Sequence, residues 1–219
     1  RDVASRAGAR ILEHVFASSG AQCNWGLDQC CHNWVLVLDA DERVTPELQR
    51  SVAAVLAAPQ HPAYEVRRVN LAFGHRLHHG DWGRDWIVRL LDRRQARFSE
   101  LAVHGSVHAA TVGRLSGELE HHTLRSLAQY LPKVEEYARR GAEDLRVRGV
   151  STGPVKAFSH ASWRLFRGLV LKAGILDGGP GMLVAMLGAW GTFMKWTLAW
   201  ETGRDPSDPP AGQTGQRAL

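Results

Sequence analysis

The sequence predicts an α/β protein whose sheet-forming first half is followed by a helical, membrane-facing C-terminal region. Three observations carry this prediction. Trp34-Val35-Leu36-Val37-Leu38 is a run of consecutive apolar residues bounded by polar ones, the pattern of a central strand buried on both faces, as parallel sheets require. A strand, a helix and a second strand then succeed one another up to Asn70, the alternation of an α/β sheet. Beyond His122 the apolar spacing becomes helical and stays so to Trp200.

Taken in chain order, residues 2 to 7 read as a helix end closed by Gly8, and Ala9 to Phe16 as a strand with Ile11 and Val15 set among polar neighbours. Ser18-Ser19-Gly20 breaks the pattern, and Gln22 to Cys31 suits a short helix leading into the apolar run. After the run come Asp39-Ala40-Asp41-Glu42 and then Thr45-Pro46-Glu47, an N-cap, a proline at the first helical position and an acid in the first turn. That helix is expected to reach about Ala57, where Pro59 and Pro62 end it, and Tyr64 to Asn70 alternates as a strand. Residues 71–98 are rich in Gly, His, Trp and Arg and read as functional loops around a short apolar stretch at Ile87 to Leu91. Three helices follow, over Ser126 to Arg148, Val155 to Lys172 and Met182 to Trp200. The organisation expected is residues 1–122 as the sheet domain, 123–202 as the helical region and 203–219 as a disordered tail rich in Pro, Gly and Asp.

Composition sets the class. Of 219 residues, 44% are hydrophobic and 22% charged, a globular balance that excludes disordered and fibrous chains. Lys and Arg number 27 against 22 acids, a net +5 that points to an anionic partner. The stretch from His121 to Trp200 holds eleven Lys and Arg against five acids, so the helical third carries the excess. Cys23, Cys30 and Cys31 are odd in number and clustered, which suits a reducing cytoplasm rather than a disulfide framework. The first residues are polar where a secretory leader would be apolar, and they read as the last turns of a helix with structure expected upstream.

Chemistry concentrates at Asp39-Ala40-Asp41. Ligands of open α/β sheets bind outside the carboxyl ends of strands, and two carboxylates one residue apart suit a divalent cation, Mg²⁺ or Mn²⁺, shared with a substrate diphosphate. The bland alternative is a solvated acidic turn ahead of a helix, where acids favour the dipole. Histidines at 75, 78, 79, 104, 108, 121 and 122 invite a zinc reading, but no His-x3-His on a helix and no Cys-x2-Cys occurs among them. The phosphate-loop and dinucleotide glycine patterns are missing, and no aromatic platform supports nucleic-acid binding. Val155 to Lys172 mixes Phe158, Trp163, Phe166 and Leu169 with Lys156, Arg164, Arg167 and Lys172, as an interfacial helix near anionic lipid does; a core-facing helix with a solvated basic side is the alternative. Gly181 to Trp200 is about long enough to span a bilayer. Lys195, Gly188 and Gly191 favour a monotopic or core helix instead.

The run Asn33 to Val44 resembles the DxD segment of family 2 glycosyltransferases with a GT-A fold, in particular the bacterial branch containing lipopolysaccharide core glycosyltransferases. Further segments agree in order: Asn70, Gly74, His79, Gly80, Trp82, Asp85, Arg89 and Leu90; Val103-His104; Leu115-Ser116-Gly117-Glu118-Leu119 with His122; and Gly174, Leu176, Asp177, Gly178 and Gly181. The resemblance covers roughly residues 3 to 201.

It implies a GT-A-like, Rossmann-like mixed sheet and transfer of a hexose with inversion, from a nucleotide-sugar donor to a lipid-linked or lipopolysaccharide-core acceptor. The enzyme would sit peripherally at the cytoplasmic face of the inner membrane, with no nucleic-acid partner. Asp39 and Asp41 would hold the metal and diphosphate, with Gln22 and Asn24 lining the donor pocket. His79, Trp82, Arg89 and His104 are the expected acceptor or phosphate contacts. The family commonly has Glu directly after Val-His, where this chain has Gly105, so Asp85 and Glu100 are the acids expected to serve as catalytic base. Cys23 stands where the family usually has a basic residue, and the family's first strand and helix have no counterpart before Arg1. These departures support an alternative, a catalytically silent relative that binds membrane or partner proteins. A DxD phosphohydrolase is a third reading, with little support around Asp39.

Overall fold

A computed structural model describes residues 2–83, 85–99 and 106–203. Helix α1 is Asp2–Arg6 and α2 is Ser19–Asp28. Strands β1 (Trp34–Leu36) and β2 (Glu42–Val44) flank the acid turn, and α3 is Pro46–Ala57. Then come β3 (Ala63–Ala72), β4 (His75–Arg76), a 3-10 turn at Gly80–Trp82, β5 (Asp85–Asp92), β6 (Arg97–Phe98), β7 (Val107–His108) and β8 (Val112–Leu124). Helices α4 (Leu127–Val147), α5 (Pro154–Phe166) and α6 (Gly178–Thr202) complete the described chain. The main sheet runs β1-β5-β3-β8-β2 with β4 against β3, and β6 pairs with β7. The result is a mixed α/β fold with C-terminal helices.

The chain divides into two compact units, Arg1–Arg68 with Trp86–Glu120, and Val69–Asp85 with His121–Leu219. In the first, the strand over residues 34–38 is corrected. It is an outer strand of the sheet order, three residues long, and pairs antiparallel with β5, Trp34 opposite Asp92 and Leu36 opposite Leu90. A continuous apolar run marks burial on two faces and does not encode strand direction. Both faces are indeed covered. Trp34 and Leu36 pack on the cluster of Leu48, Tyr64, Val66, Leu90, Leu115 and Leu119, while Val35 and Val37 pack on Leu27, Ala63, Leu91, Ala96 and Phe98. Helix α3 supplies Leu48 to one cluster and α2 supplies Leu27 to the other, so side chains alternating along β1 meet a helix on each side.

The strand expected over Ala9 to Phe16 does not form. No strand pairs with these residues among those described, and Val15 is 85% exposed. Without a ladder partner or a face to bury, the segment stays irregular, with His14 stacked on Trp25 at 4.4 Å. Ser18-Ser19-Gly20, expected as a break, is the start of α2: Ser18 Oγ accepts from the Ala21 amide. Thr45 caps α3 in the same way, with Pro46 at its first turn.

Strand β8 is a long strand that local pattern conceals. Gly117 sits inside it at φ +86°, and a Cβ there would come 2.4 Å from the Leu48 amide nitrogen of α3. Only glycine permits this positive φ together with so close a helix. Leu115 and Leu119, on either side, both reach the cluster around Leu48.

In the second unit Ser126 caps α4, and Val134, Ala138, Ala142 and Leu145 form its buried stripe. Helix α5 runs on through a π-helical turn at Arg167–Leu171 and is joined to α6 by a 3-10 turn at Gly174–Asp177. Both α4 and α5 pack on α6, through clusters that include Val184 and Leu187, and Ala157, Trp196 and Ala199. Gly174–Thr202 is long and apolar enough to cross a membrane by length and composition alone.

Candidate active site

The acid turn is built by a hydrogen-bonded reversal between β1 and β2. The Glu42 amide donates to the Asp39 carbonyl at 3.0 Å, and the Asp39 amide donates to Glu42 Oε2 at 2.9 Å. The β1–β5 ladder extends one step further, with the Val37 amide donating to the Arg89 carbonyl at 2.8 Å. This register brings the Arg89 side chain to the turn, where Nη2 donates to Asp39 Oδ2 at 2.5 Å and also to Glu42 Oε1. Arg68 Nη1 lies 3.8 Å from the same Glu42 oxygen.

Burial separates the roles of the acids. The Glu42 side chain is fully buried and Arg89 is 11% exposed, while the Asp39 side chain is 56% exposed. A buried ion pair thus underlies a solvent-facing carboxylate. Burial works against the Arg89 charge, but the Glu42 carboxylate, with Asp39, outweighs it and holds the guanidinium above its ordinary value. Cys23 of α2 is within electrostatic reach: burial raises its thiol, Arg89 opposes and Asp39 adds. Asp41 is half-buried in the same turn.

Among the described residues no group of three or more His, Cys, Asp and Glu forms a cage for a metal. The donor set does fit a hard cation that takes one or two carboxylates and completes its shell with phosphate oxygens and water. Asp39 keeps Oδ1 without a hydrogen-bond partner among the described residues, because Arg89 engages only Oδ2.

The other anticipated residues fall into distinct settings. Gln22 lines an open cavity of about 420 Å³ with Leu12, Glu13, His14 and Val15. Asn24 clamps α2 to β6: its Nδ2 donates to the Phe98 carbonyl and its Oδ1 accepts from the Phe98 amide, both at 2.9 Å. His79, Trp82 and Asp85 belong to the second unit. His79 Nδ1 is 2.9 Å from Asp177 Oδ1, and Asp177 Oδ2 accepts from the amides of His78 and His79. Trp82 stands edge-on to Tyr130 at 5.7 Å, and its carbonyl accepts from Asn70 Nδ2. Asp85 is half-buried at the start of β5. Glu100, His104 and Gly105 lie outside the described residues, as does the tail from 204.

The structure therefore joins Asp39 directly to Arg89 and adds Glu42, which the sequence presented only as the last acid of the turn. It also gives Asp81 a role that spacing did not suggest. Lys172 Nζ lies 2.8 Å, Arg167 Nη2 3.1 Å and Arg164 Nε 3.6 Å from its carboxylate. Burial would raise the Asp81 carboxyl, but Lys172 and the two arginines pull it below its ordinary value.

A mixed α/β fold with an exposed, braced Asp39 and a half-buried Asp41 just beyond a strand end is consistent with a group-transferring enzyme. The chain is 22% identical over 216 residues to a protein named uncharacterized glycosyltransferase from Rickettsia conorii, covering 91% of this chain and 76% of that protein. It is also 22% identical over 209 residues to one of the same name from Rickettsia felis, covering 88% of this chain and 73% of that protein. A third, from Rickettsia typhi, is 20% identical over 210 residues, covering 88% and 70%. No family model and no solved structure matches the chain. These similarities support a glycosyltransferase.

Proposed function

We propose that the chain is an inverting family 2 glycosyltransferase of GT-A type that moves a hexose from a nucleotide-sugar donor to a lipid-linked or lipopolysaccharide-core acceptor. The observation that carries this reading is the exposed Asp39, braced by the buried Arg89–Glu42 ion pair just beyond the carboxyl end of β1, with the half-buried Asp41 in the same turn. Asp39 and Asp41 would hold Mg²⁺ or Mn²⁺, which when bound supplies positive charge against the leaving nucleoside diphosphate. Arg89 and Glu42 orient Asp39, and Gln22 faces the donor from α2. Asp85 or Glu100 would take the proton of the acceptor hydroxyl.

A peripheral position at the inner face of the membrane is supported by the connection between α5 and α6. Phe166, Val170, Leu171, Ile175, Leu176 and Met182 are all exposed there. Between residues 149 and 200 the only acid is Asp177, turned inward to His79, against five Lys and Arg. An apolar edge in a basic setting suits an anionic lipid surface.

The test is calorimetric titration with UDP and other nucleoside diphosphates, with and without Mn²⁺. Metal-dependent binding is expected, lost in Asp41→Asn with the fold intact and about tenfold weaker in Arg89→Lys, whose side chain is one atom shorter and falls short of the Nη2 position that meets both carboxylates. A folded chain that binds no nucleotide would reject the donor site and favour the silent relative.

A further inference from the structure

Between α4, α5 and α6 of the second unit lies a cavity of about 160 Å³. Val134 and Leu187 give it apolar walls, and Tyr130, Arg164, Thr192 and Lys195 give it polar ones. Glycines make the room. A Cβ at Gly188 would come 3.0 Å from Arg164 Nε, and one at Gly141 would come 2.5 Å from Lys195 Cδ. Larger residues at either position would push the cations out.

The two cations are left short of negative charge. Arg164 Nε is buried and donates no hydrogen bond; its nearest carboxylate oxygen, on Asp81, is 3.6 Å away and lies closer to Arg167 and Lys172. Arg164 Nη1 donates to Thr192 Oγ1 at 3.4 Å. Lys195 has no ion pair among the described residues, and its Nζ lies 6.0 Å from the Trp196 ring centroid. Burial and the like charge of Arg164 push the Lys195 amine below the ordinary lysine range, with Arg148 adding and Asp144 opposing. The Thr192 hydroxyl is spent on the Gly188 carbonyl, so two cations held together beside Tyr130 and an apolar wall make a site for an oxyanion that carries a hydrocarbon portion.

We propose that this cavity binds the phosphate group of an amphiphile, the phosphate bridging Arg164 and Lys195 and the apolar portion lying along Val134 and Leu187. The site is separate from the acid turn in sequence and in chemistry, and it does not rest on the glycosyl-transfer reading.

The experiment titrates the full chain with dihexanoyl phosphatidic acid, dihexanoyl phosphatidylcholine and inorganic phosphate. Saturable binding of phosphatidic acid is expected, about tenfold tighter than either of the others, and about tenfold weaker in Lys195→Met and in Arg164→Gln. Inorganic phosphate binding as tightly as the lipid would overturn the apolar half of the proposal and identify free phosphate as the ligand. Lack of saturable binding of both, or binding untouched by both substitutions, would overturn the site itself. Should either variant fail to fold, acetic anhydride labelling of the unaltered protein decides: phosphatidic acid must protect Lys195, and unchanged labelling rejects the proposal.

Discussion

Arg89 Nη2 meets Asp39 Oδ2 at 2.5 Å across fifty positions of sequence, and the same nitrogen hydrogen-bonds to Glu42. One guanidinium thereby links β5 to both ends of the acid turn. Because Glu42 is fully buried and Asp39 faces solvent, the exposed carboxylate takes its orientation from an ion pair that water does not screen.

Glu42→Gln should be strongly destabilising. It removes the buried carboxylate and leaves Arg89 with the exposed Asp39 as its remaining charged partner in the turn, a loss of about 3 kcal/mol, read as a lower urea midpoint at unchanged slope. Glu42→Leu combined with Arg89→Met should recover much of this, since an apolar pair needs no desolvation. Equal midpoints for Glu42→Gln and the parent protein would refute the role of the pair.

Asp92 ties the β5–β6 turn to pH. Hydrogen bonds from Arg94 hold its carboxyl down to about 2, against burial and with help from Gln95. The folded value lies below the unfolded one of about 3.9, so the stabilisation is present above about pH 4 and is lost as pH falls toward 2. Arg94 is 59% exposed, so screening discounts the pair. Asp92→Asn is expected to lose about 1–2 kcal/mol at neutral pH. Urea titrations should show the gap closing below pH 4, and a gap independent of pH would count against this assignment.

Asp177 holds the 78–79 loop by two backbone amides and the His79 ring. Asp177→Ala leaves those donors without their acceptor and should cost about 2–3 kcal/mol, with new proteolytic cleavage near His78. Asp177→Asn, which keeps one acceptor oxygen, should be milder. Resistance to protease equal to that of the parent would show that the loop is held by other means.

Membrane attachment is read at Ile175 and Leu176, which are 56% and 70% exposed. Changing both to Asp should leave the circular dichroism spectrum unaltered and weaken sedimentation with phosphatidylglycerol vesicles by about tenfold or more, given the apolar area each would bury in lipid. Undiminished sedimentation would place the attachment elsewhere.

Helices capped by local chemistry were legible in the sequence. Thr45 with Pro46 and Ser126 each announce a helix whose observed limits follow from the cap, since the hydrogen bond that starts the helix lies within three residues. Strand β8 was hidden because Gly117 leaves a gap in the apolar alternation between Leu115 and Leu119, a gap that makes sense only once the start of α3 lies against it. Of the site, the acid turn and its place at a strand end could be read directly. Its dependence on Arg89 and Glu42 could not, because spacing along the chain carries no information on which side chain a ladder brings across.

What the sequence determined by itself is therefore local: caps, turns, the apolar stripe of α4, the two-faced burial of residues 34–37 and the basic character of the C-terminal helices. The tertiary structure decided the direction of β1, the absence of a strand at residues 9–16, the membership of residues 69–85 in the second unit, and the partners of Asp39, Asp81 and Asp177. The physical reason is that capping and periodicity are satisfied within a few residues, whereas strand pairing and ion pairing are settled by which distant segment can cover an apolar face and neutralise a charge at the same time.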